Sequence, residues 1–506
     1  MKYRYRTVIA TALVAALTGS LAATAAAAPA RPGGLSRVDF NGDGYADFAA
    51  GTPAGWVHGK WRAGAVTAFY GSARGVTAAG TATLDQDSAN VPGSAENGDL
   101  FGAATAPGDF DGDGYTDLAV GAPLEDVGSD VNGGSVTILW GSATGLRGGS
   151  TVPDPAPAAH DRFGAALAAG DFDGDGRTDL AAGTNGSTLY VFRKGISRGG
   201  RAGALATRVL PLRSAPEAGI INLTAGDVDG DRRADLMVDG YSPTLWTDGK
   251  YHNVNYFVPG TSTGPSRTVA KKMPGGVAGA IGDIDGDGYG DIVTGIWWAR
   301  SKPGGAIGGQ VQVTYGAAGG PSSRTQTISE ESGNVPGDSE NWDKFGSSVA
   351  LGDVNGDGRL DLAIGARQES LTLWGQVHYG VGTVTVLAGS RGGVDTTTAP
   401  QYFYPGNHGV PGTPLWAQFG SAALLTDLDN SGGADLVVGA LGQDNGDGTV
   451  TVLPSVTGTD GSGRIGTDGA TEIKARHLKM DTTGIPRLGS VLDGSLEASV
   501  INSNTW

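Results

Sequence analysis

Short apolar runs of alternating character recur along the chain with a period of two. They read AVTAFYGS from Ala65, SVTILWGS from Ser135, STLYVFRKG from Ser187, VNYFVPG from Val254, VQVTYG from Val311, TVTVLAGS from Thr383 and TVTVLPS from Thr449. Val, Thr and aromatic residues dominate them and Gly or Ser closes them, which predicts half-buried β-strands ended by turns. A second set precedes them, each run closed by glycine: DLAVGAP from Asp117, DLAAGTN from Asp179, DIVTGIW from Asp291, DLAIGAR from Asp361 and DLVVGAL from Asp435. Weaker segments such as 81–85 and 325–329 offer a fourth strand. No segment carries a convincing apolar period of 3.6, so the expected fold class is all-β.

An acidic nonapeptide stands ahead of the second set and occurs seven times, at 39–47, 109–117, 171–179, 227–235, 283–291, 353–361 and 427–435. Seven units across residues 31–506 average 68 residues each, room for one sheet of about four short strands per unit. Four units also carry Phe-Gly before the acidic loop: Phe101-Gly102, Phe163-Gly164, Phe345-Gly346 and Phe419-Gly420. Phe-Gly, an acidic nonapeptide and then Gly-Ala-Pro at 121–123 resemble the FG-GAP repeat, the blade of the integrin α-subunit head and of many secreted bacterial proteins. The resemblance implies a seven-bladed β-propeller of four-stranded blades, with the acidic loop joining the first two strands of each. Units 4 and 5 lack both Phe-Gly and Gly-Ala-Pro, so their blades are expected to pack differently.

Unit 1 begins almost at its acidic loop, with little room for a first strand. Residues 487–493, RLGSVLD, read like FGSSVALGD from Phe345. The C-terminal strand is therefore expected to complete blade 1 and close the ring, since an open propeller would expose an unpaired edge. A short independent tail is the alternative.

The nonapeptides offer oxygen at positions 1, 3, 5 and 9, a backbone carbonyl at position 7, and usually glycine at position 6. In order these are Asp39, Asn41, Asp43, Tyr45 and Asp47; Asp109, Asp111, Asp113, Tyr115 and Asp117; Asp171, Asp173, Asp175, Arg177 and Asp179. They continue with Asp227, Asp229, Asp231, Arg233 and Asp235; Asp283, Asp285, Asp287, Tyr289 and Asp291; Asp353, Asn355, Asp357, Arg359 and Asp361; and Asp427, Asp429, Ser431, Gly433 and Asp435. Hard oxygen donors at this spacing suit Ca2+, up to seven ions, each taking about six to eight oxygens. An EF-hand would need Glu at position 12, where Ala50, Val120 and Ile364 stand inside apolar runs. The loops hold 25 carboxylates, and crowding three or four of them without a cation costs several kcal/mol, on the order of the Coulomb terms at an effective dielectric near 20. Arg232 in unit 4 and Ser431 in unit 7 predict weaker or empty sites there. Plain Asp/Gly turns without metal are the alternative for all seven.

Composition narrows the function. Residues 1–30 read as a secretory signal: Lys2, Arg4 and Arg6, an apolar run over 7–23 and small residues before the cut. The remainder, 31–506, is expected to be a single secreted propeller. The chain's formal charge is −17; removing three cations gives −20, and seven Ca2+ would bring it to −6. That balance argues against nucleic acid, and no second apolar run is long enough to span a bilayer. An exported chain without cysteine needs a staple other than disulfides, a role calcium fits. With no sorting signal or apolar tail recognised, a free, monomeric extracellular protein is expected.

Catalytic constellations are thin. The six histidines, His58, His160, His252, His378, His408 and His477, show no metal-ligand spacing. Gly260-Thr261-Ser262-Thr263-Gly264 matches a nucleophile elbow, but it follows a third strand and aligns with the turns YGSARG and WGSATG, where a hydrolase needs a strand turning into a helix. The family geometry implies that loops after the second and fourth strands face away from calcium. Trp56, Trp61, Trp297, Trp298, Trp342, Trp374 and Trp416 fall in such loops of units 1, 5 and 6, with Arg300, Glu340, His378, Tyr379 and His408 nearby in sequence. Such aromatics suit stacking on sugars or anchoring a protein; alternatively each plugs its own loop. The leading expectation is a non-catalytic recognition or adhesion module for an extracellular glycan or protein. The alternative is a carbohydrate-active lyase or hydrolase drawing on Arg300, His378, Tyr379 and His408; a structural part of a surface assembly is the third.

Overall fold

A computed structural model describes residues 37–266, 268, 270–298, 302–458, 462–492 and 494–495, so residues 1–30, expected from the sequence to be a signal segment, Arg300 and Asp493 lie outside the described residues. The chain forms seven antiparallel blade sheets arranged as a propeller, six of four strands and one of four with a short fifth added, and its described helices are short 3-10 turns. Blade 2 is representative, with strands Ala104–Gly108, Asp117–Ala122, Ser135–Trp140 and Arg147–Val152 in order from the axis outward. The first strands together line an axial cavity of about 680 Å³.

Closure follows the sequence expectation. Val491–Leu492 pairs antiparallel with Phe48–Thr52 (Ala50 opposite Leu492, Gly51 opposite Val491), so the C-terminal strand is the innermost strand of blade 1. One further pairing was not anticipated. Gly494–Ser495 adds to the inner edge of blade 2, with Gly494 opposite Thr105 and Ser495 opposite Ala104.

The blade seams explain the Phe-Gly and Gly-Ala signatures. Phe101, Phe163, Phe345, Phe419 and the equivalent Leu488 are fully buried, and each donates its backbone N–H to the preceding blade, as from Phe101 to Ala63 at 2.9 Å and from Leu488 to Asp447 at 2.9 Å. The glycine after each approaches the second-strand glycine of that preceding blade. A Cβ on Gly121 would meet the Gly164 carbonyl oxygen at 2.1 Å, and one on Gly439 would meet that of Gly489 at 2.0 Å. Gly489 thus does for blade 1 what the Phe-Gly glycine does elsewhere. Gly121→Ala is expected to cost about 2–3 kcal/mol by forcing the seam apart, read as a lower urea midpoint at unchanged slope; a wild-type midpoint would refute the tight seam.

Units 4 and 5 pack differently, as their sequences suggest. Gly183 faces the Ile220 side chain where a Phe-Gly glycine stands elsewhere, and at the next seam Asn222 donates to the Val277 carbonyl (3.0 Å) and Asn255 to that of Gly276 (3.1 Å). The cores lie largely between blades: Phe110, Val136, Phe163 and Leu180 join blades 2 and 3, and Phe48, Val450, Leu488 and Leu492 join blades 7 and 1.

Candidate metal loops and candidate ligand face

The nonapeptides of units 2 to 7 join the first strand of their blade to the second, that of unit 1 leads directly into Phe48–Thr52, and the carboxylates turn inward onto the loop's own backbone. In unit 2, Asp109 accepts from Gly112 N (2.8 Å) and Gly114 N (3.0 Å), Asp111 from Asp113 N (3.2 Å) and Asp113 from Tyr115 N (3.0 Å). The ninth residue has a second task. Asp117 accepts from Phe110 N at 3.0 Å with one oxygen and from Gly141 N, just past the third strand, at 2.8 Å with the other. Asp47, Asp179, Asp235, Asp291, Asp361 and Asp435 repeat this double bond. All seven ninth-position carboxyls are buried, and burial, opposed by these backbone bonds and reinforced by neighbouring carboxylates, pushes each up to about 7.

Positions 1, 3 and 9 come together. In units 2, 3, 4 and 5 one oxygen from each (Asp109, Asp111 and Asp117; Asp171, Asp173 and Asp179; Asp227, Asp229 and Asp235; Asp283, Asp285 and Asp291) lies within 4.8 Å of the others. Two oxygens on opposite sides of a calcium with bonds of about 2.4 Å are about 4.8 Å apart, so each triad fits one ion. Arg232 adopts φ 70° and donates its N–H to Asp227 at 2.8 Å, the bond glycine makes in other units, so unit 4 keeps its carboxylates gathered. In units 1 and 6 the third position is an amide, Asn41 donating to Asp43 (2.9 Å) and Asn355 to Asp361 (3.3 Å). In unit 7 Ser431 stands at position 5 and donates its N–H to Asp427 and Asp429. Position 7 side chains pack across seams, Tyr115 against Gly42 and Tyr289 against Gly230.

Sequence reasoning missed the arginines at this end of the propeller. Arg198, in the turn after Thr188–Ile196 of blade 3, reaches back to Asp111 (2.6 Å) and Asp113 (2.5 Å) of blade 2. Arg193 pairs with Asp173 at 2.6 Å and Arg324 with Asp285 at 2.5 Å, while Arg233 and Arg359 contact Asp231 and Asp357. These pairs fall on third- and fifth-position carboxylates and leave the first and ninth turned to the loop centre.

At the opposite end the tryptophans divide. Trp342, Trp374 and Trp416 are 75%, 80% and 64% exposed, and Trp61 is exposed to a lesser degree. Trp56 pairs its backbone with Asp481 and packs on Gly484, and Trp298 donates its indole N–H to the Pro303 carbonyl at 2.9 Å, so both secure loops. Trp297 borders the axial cavity, with the Lys344 ammonium 4.7 Å and the Arg367 guanidinium 5.5 Å from its ring centre. Blade 6 raises a small hairpin, Leu371–Leu373 with Gln376–His378, whose tip carries Trp374 edge-on to His378 at 5.4 Å. Tyr379 and Trp416, both exposed, lie 6.4 Å apart beside it, and Val377 and Leu415 are exposed too.

Other named residues serve the loops. Glu340 donates its N–H to Asp343 at 2.6 Å, His58 pairs with Asp87 at 3.0 Å, and the His408 carbonyl accepts from Thr467. Ser262 sits in a tight turn closed by Thr261 and Gly264, with no helix after it. Trp246 was missed: it stands in the loop between Asp235–Tyr241 and Asn253–Val258, edge-on to His252 at 5.3 Å, and the widened gap between those strands was its only signal.

The FG-GAP repeat family model matches residues 32–69, 101–139, 163–205 and 345–387, in blades 1, 2, 3 and 6. Phosphatidylinositol-glycan-specific phospholipase D of Rattus norvegicus is 36% identical over 150 residues, 29% of this chain and 17% of that protein. Integrin alpha-PS5 of Drosophila melanogaster is 32% identical over 164 residues, 31% of this chain and 15% of that one. The match thus spans less than a fifth of these curated relatives' length. The solved rhamnogalacturonan lyase YesW, 12% identical, overlays at a TM-score of 0.34 over 78% of this chain and 81% of that one. The protein carries FG-GAP repeats and is an integrin-α-like seven-bladed β-propeller. No described helix is long and apolar enough to cross a membrane.

Proposed function

We propose that this protein is an exported, calcium-stabilised recognition module that binds an extracellular glycan on the face opposite its acidic loops and performs no chemistry on it. The observation that carries the reading is the group of exposed aromatics on blade 6, Trp374, Tyr379 and Trp416 with Val377 and Leu415. Singly exposed apolar residues are ordinary on a protein surface, but a cluster of large aromatics with polar edges suits a stacking or docking surface. Trp297, flanked by Lys344 and Arg367 at the cavity mouth, adds an aromatic plane in a cationic setting on a chain of net charge −17. The gathered first-, third- and ninth-position oxygens support the calcium part of the reading, since calcium would neutralise carboxylates that burial otherwise disfavours.

Affinity electrophoresis of residues 31–506 in calcium, through gels cast with plant, algal and bacterial polysaccharides, tests the ligand. Retardation that Trp374→Ala or Trp416→Ala weakens about five- to thirtyfold is expected, as for stacking contacts of roughly 1–2 kcal/mol. A cleared zone in the gel would mean an enzyme. Unaltered mobility in every gel would overturn the glycan reading and point the search toward a protein partner.

A further inference from the structure

Three carboxylates unrelated to the nonapeptides meet where blade 5 hands over to blade 6. Glu330 follows the strand Thr325–Ile328, Asp343 precedes Phe345–Gly352, and Glu369 follows Asp361–Ala366. Glu330 is 4% exposed and the other two 2%, and one oxygen of each lies within 4.8 Å of the others. Both oxygens of Glu330 and one of Glu369 are buried with no hydrogen-bond partner, as are the Ser339 and Tyr402 hydroxyls. Ser339 lies in the loop just ahead of Asp343, and Tyr402 feels the charges of Glu369 and Glu330.

The chain contains its own control. Residues 329–337, SEESGNVPG, resemble residues 85–93, DQDSANVPG, at the junction between blades 1 and 2. The loops match bond for bond: Ser332 N to Ser329 O and Ser88 N to Asp85 O, Glu340 N to Asp343 and Glu96 N to Asp99. There Gln86, Asp99 and Glu125 take the places of Glu330, Asp343 and Glu369, and the Gln86 amide donates to Glu125 at 2.6 Å. Where that junction has a neutral amide donor between two carboxylates, the blade 5–6 junction has a third carboxylate in the amide's place. Three buried carboxylates cannot all ionise without compensation.

We propose that Glu330, Asp343 and Glu369 bind a divalent cation, with calcium the fitting class, at a site separate from the seven nonapeptides. The donors are all hard oxygens, and their spacing admits one ion with bonds of about 2.4 Å. Glu330 would offer both oxygens, Asp343 and Glu369 one each, and Ser339 and Tyr402 lie within the same junction. Without a cation, burial pushes all three carboxyls up, helped at Glu330 by the charges of Glu369 and Asp343, at Glu369 by those of Asp343 and Glu340, and at Asp343 by that of Glu340; a proton shared between Glu330 and Glu369 is the competing arrangement. The ion would tie together three segments, including the loop that presents Trp342 and Lys344 and the one that presents Arg367. This inference does not depend on the identity of the ligand or on occupancy of the nonapeptides.

Crystals of residues 31–506 soaked in Tb3+ and measured for anomalous scattering give the direct test. A peak between the three carboxylates is expected, absent from Glu330→Gln crystals and retained at any nonapeptide that holds an ion. Glu330→Gln copies the Gln86 junction, so it is expected to fold, and calcium content by mass spectrometry after exhaustive dialysis should fall by one ion per molecule. Should that variant fail to fold, the wild-type soak decides alone. No peak at the junction in wild type, or an unchanged ion count in folded Glu330→Gln, would overturn the site in favour of the shared proton.

Discussion

Chelation of calcium at pH 8 is expected to lower the thermal midpoint by about 8 °C or more and to broaden the transition. A site held at a hundred times its dissociation constant adds about 2.7 kcal/mol to the folded state. Three such sites would supply about 8 kcal/mol, comparable to the whole net stability of an ordinary domain at about 5–15 kcal/mol. The pH dependence has a definite sign. In the absence of calcium the seven ninth-position carboxyls are raised to about 7 by burial, so the folded state holds their protons more tightly than the unfolded chain does. Their contribution is fully present below the unfolded value near 3.8 and is lost as pH rises to about 7. Calcium replaces those protons, so its stabilising effect should be small at pH 5.5 and large at pH 8. Calorimetric scans at both pH values, with calcium and with EDTA, measure this. Superimposable scans at pH 8 would mean that the loops are Asp/Gly turns needing no metal.

The architecture was legible because its signals are local and repeated. A strand of period two followed by a glycine, recurring with an acidic nonapeptide, can be read without knowing any long-range contact, and the RLGSVLD segment revealed the ring closure by its likeness to other first strands. What stayed hidden depends on pairs distant in sequence. The ninth-position aspartate looks like one more ligand until the third strand brings Gly141 or its equivalents to its second oxygen. Arg198 meets Asp111 across 87 residues, and nothing in either neighbourhood announces the partner. The tryptophans showed which loops they belong to but not which are free: Trp56 and Trp374 occupy comparable loops, and only packing on Gly484 separates the first from the 80% exposed second. The likeness between SEESGNVPG and DQDSANVPG was present in the sequence, yet its meaning required Asp343 and Glu369 to arrive from two other loops.

Ending the chain at Pro486 is expected to abolish cooperative folding, the largest effect foreseen for any change outside the acidic loops. The removed segment contributes Leu488, Val491 and Leu492, all buried, and Leu488 and Leu492 lie in the cluster that joins blades 7 and 1. Deleting buried side chains of this size costs about 2–5 kcal/mol each when the cavity cannot collapse, so three together approach or exceed an ordinary net stability. Lost with them are the Leu488 N–H bond to Asp447, the Ser490 hydroxyl bond to the Gly51 carbonyl, and the pairing of Gly494–Ser495 with blade 2. The truncation also bares Phe48–Thr52 as an unpaired edge directed at the axis, an invitation to aggregation. A broad, non-cooperative melt and multimers on size exclusion are the expected readouts. Leu488→Ala keeps the backbone pairing and should still melt cooperatively, about 2–4 kcal/mol less stable. Were the truncated chain to melt as the full one does, the strand would be an accessory and the ring would owe its closure to the contact between blades 7 and 1 alone; a graded loss, modest in Leu488→Ala and complete in the truncation, places the clasp in both the apolar seam and the ladder it completes.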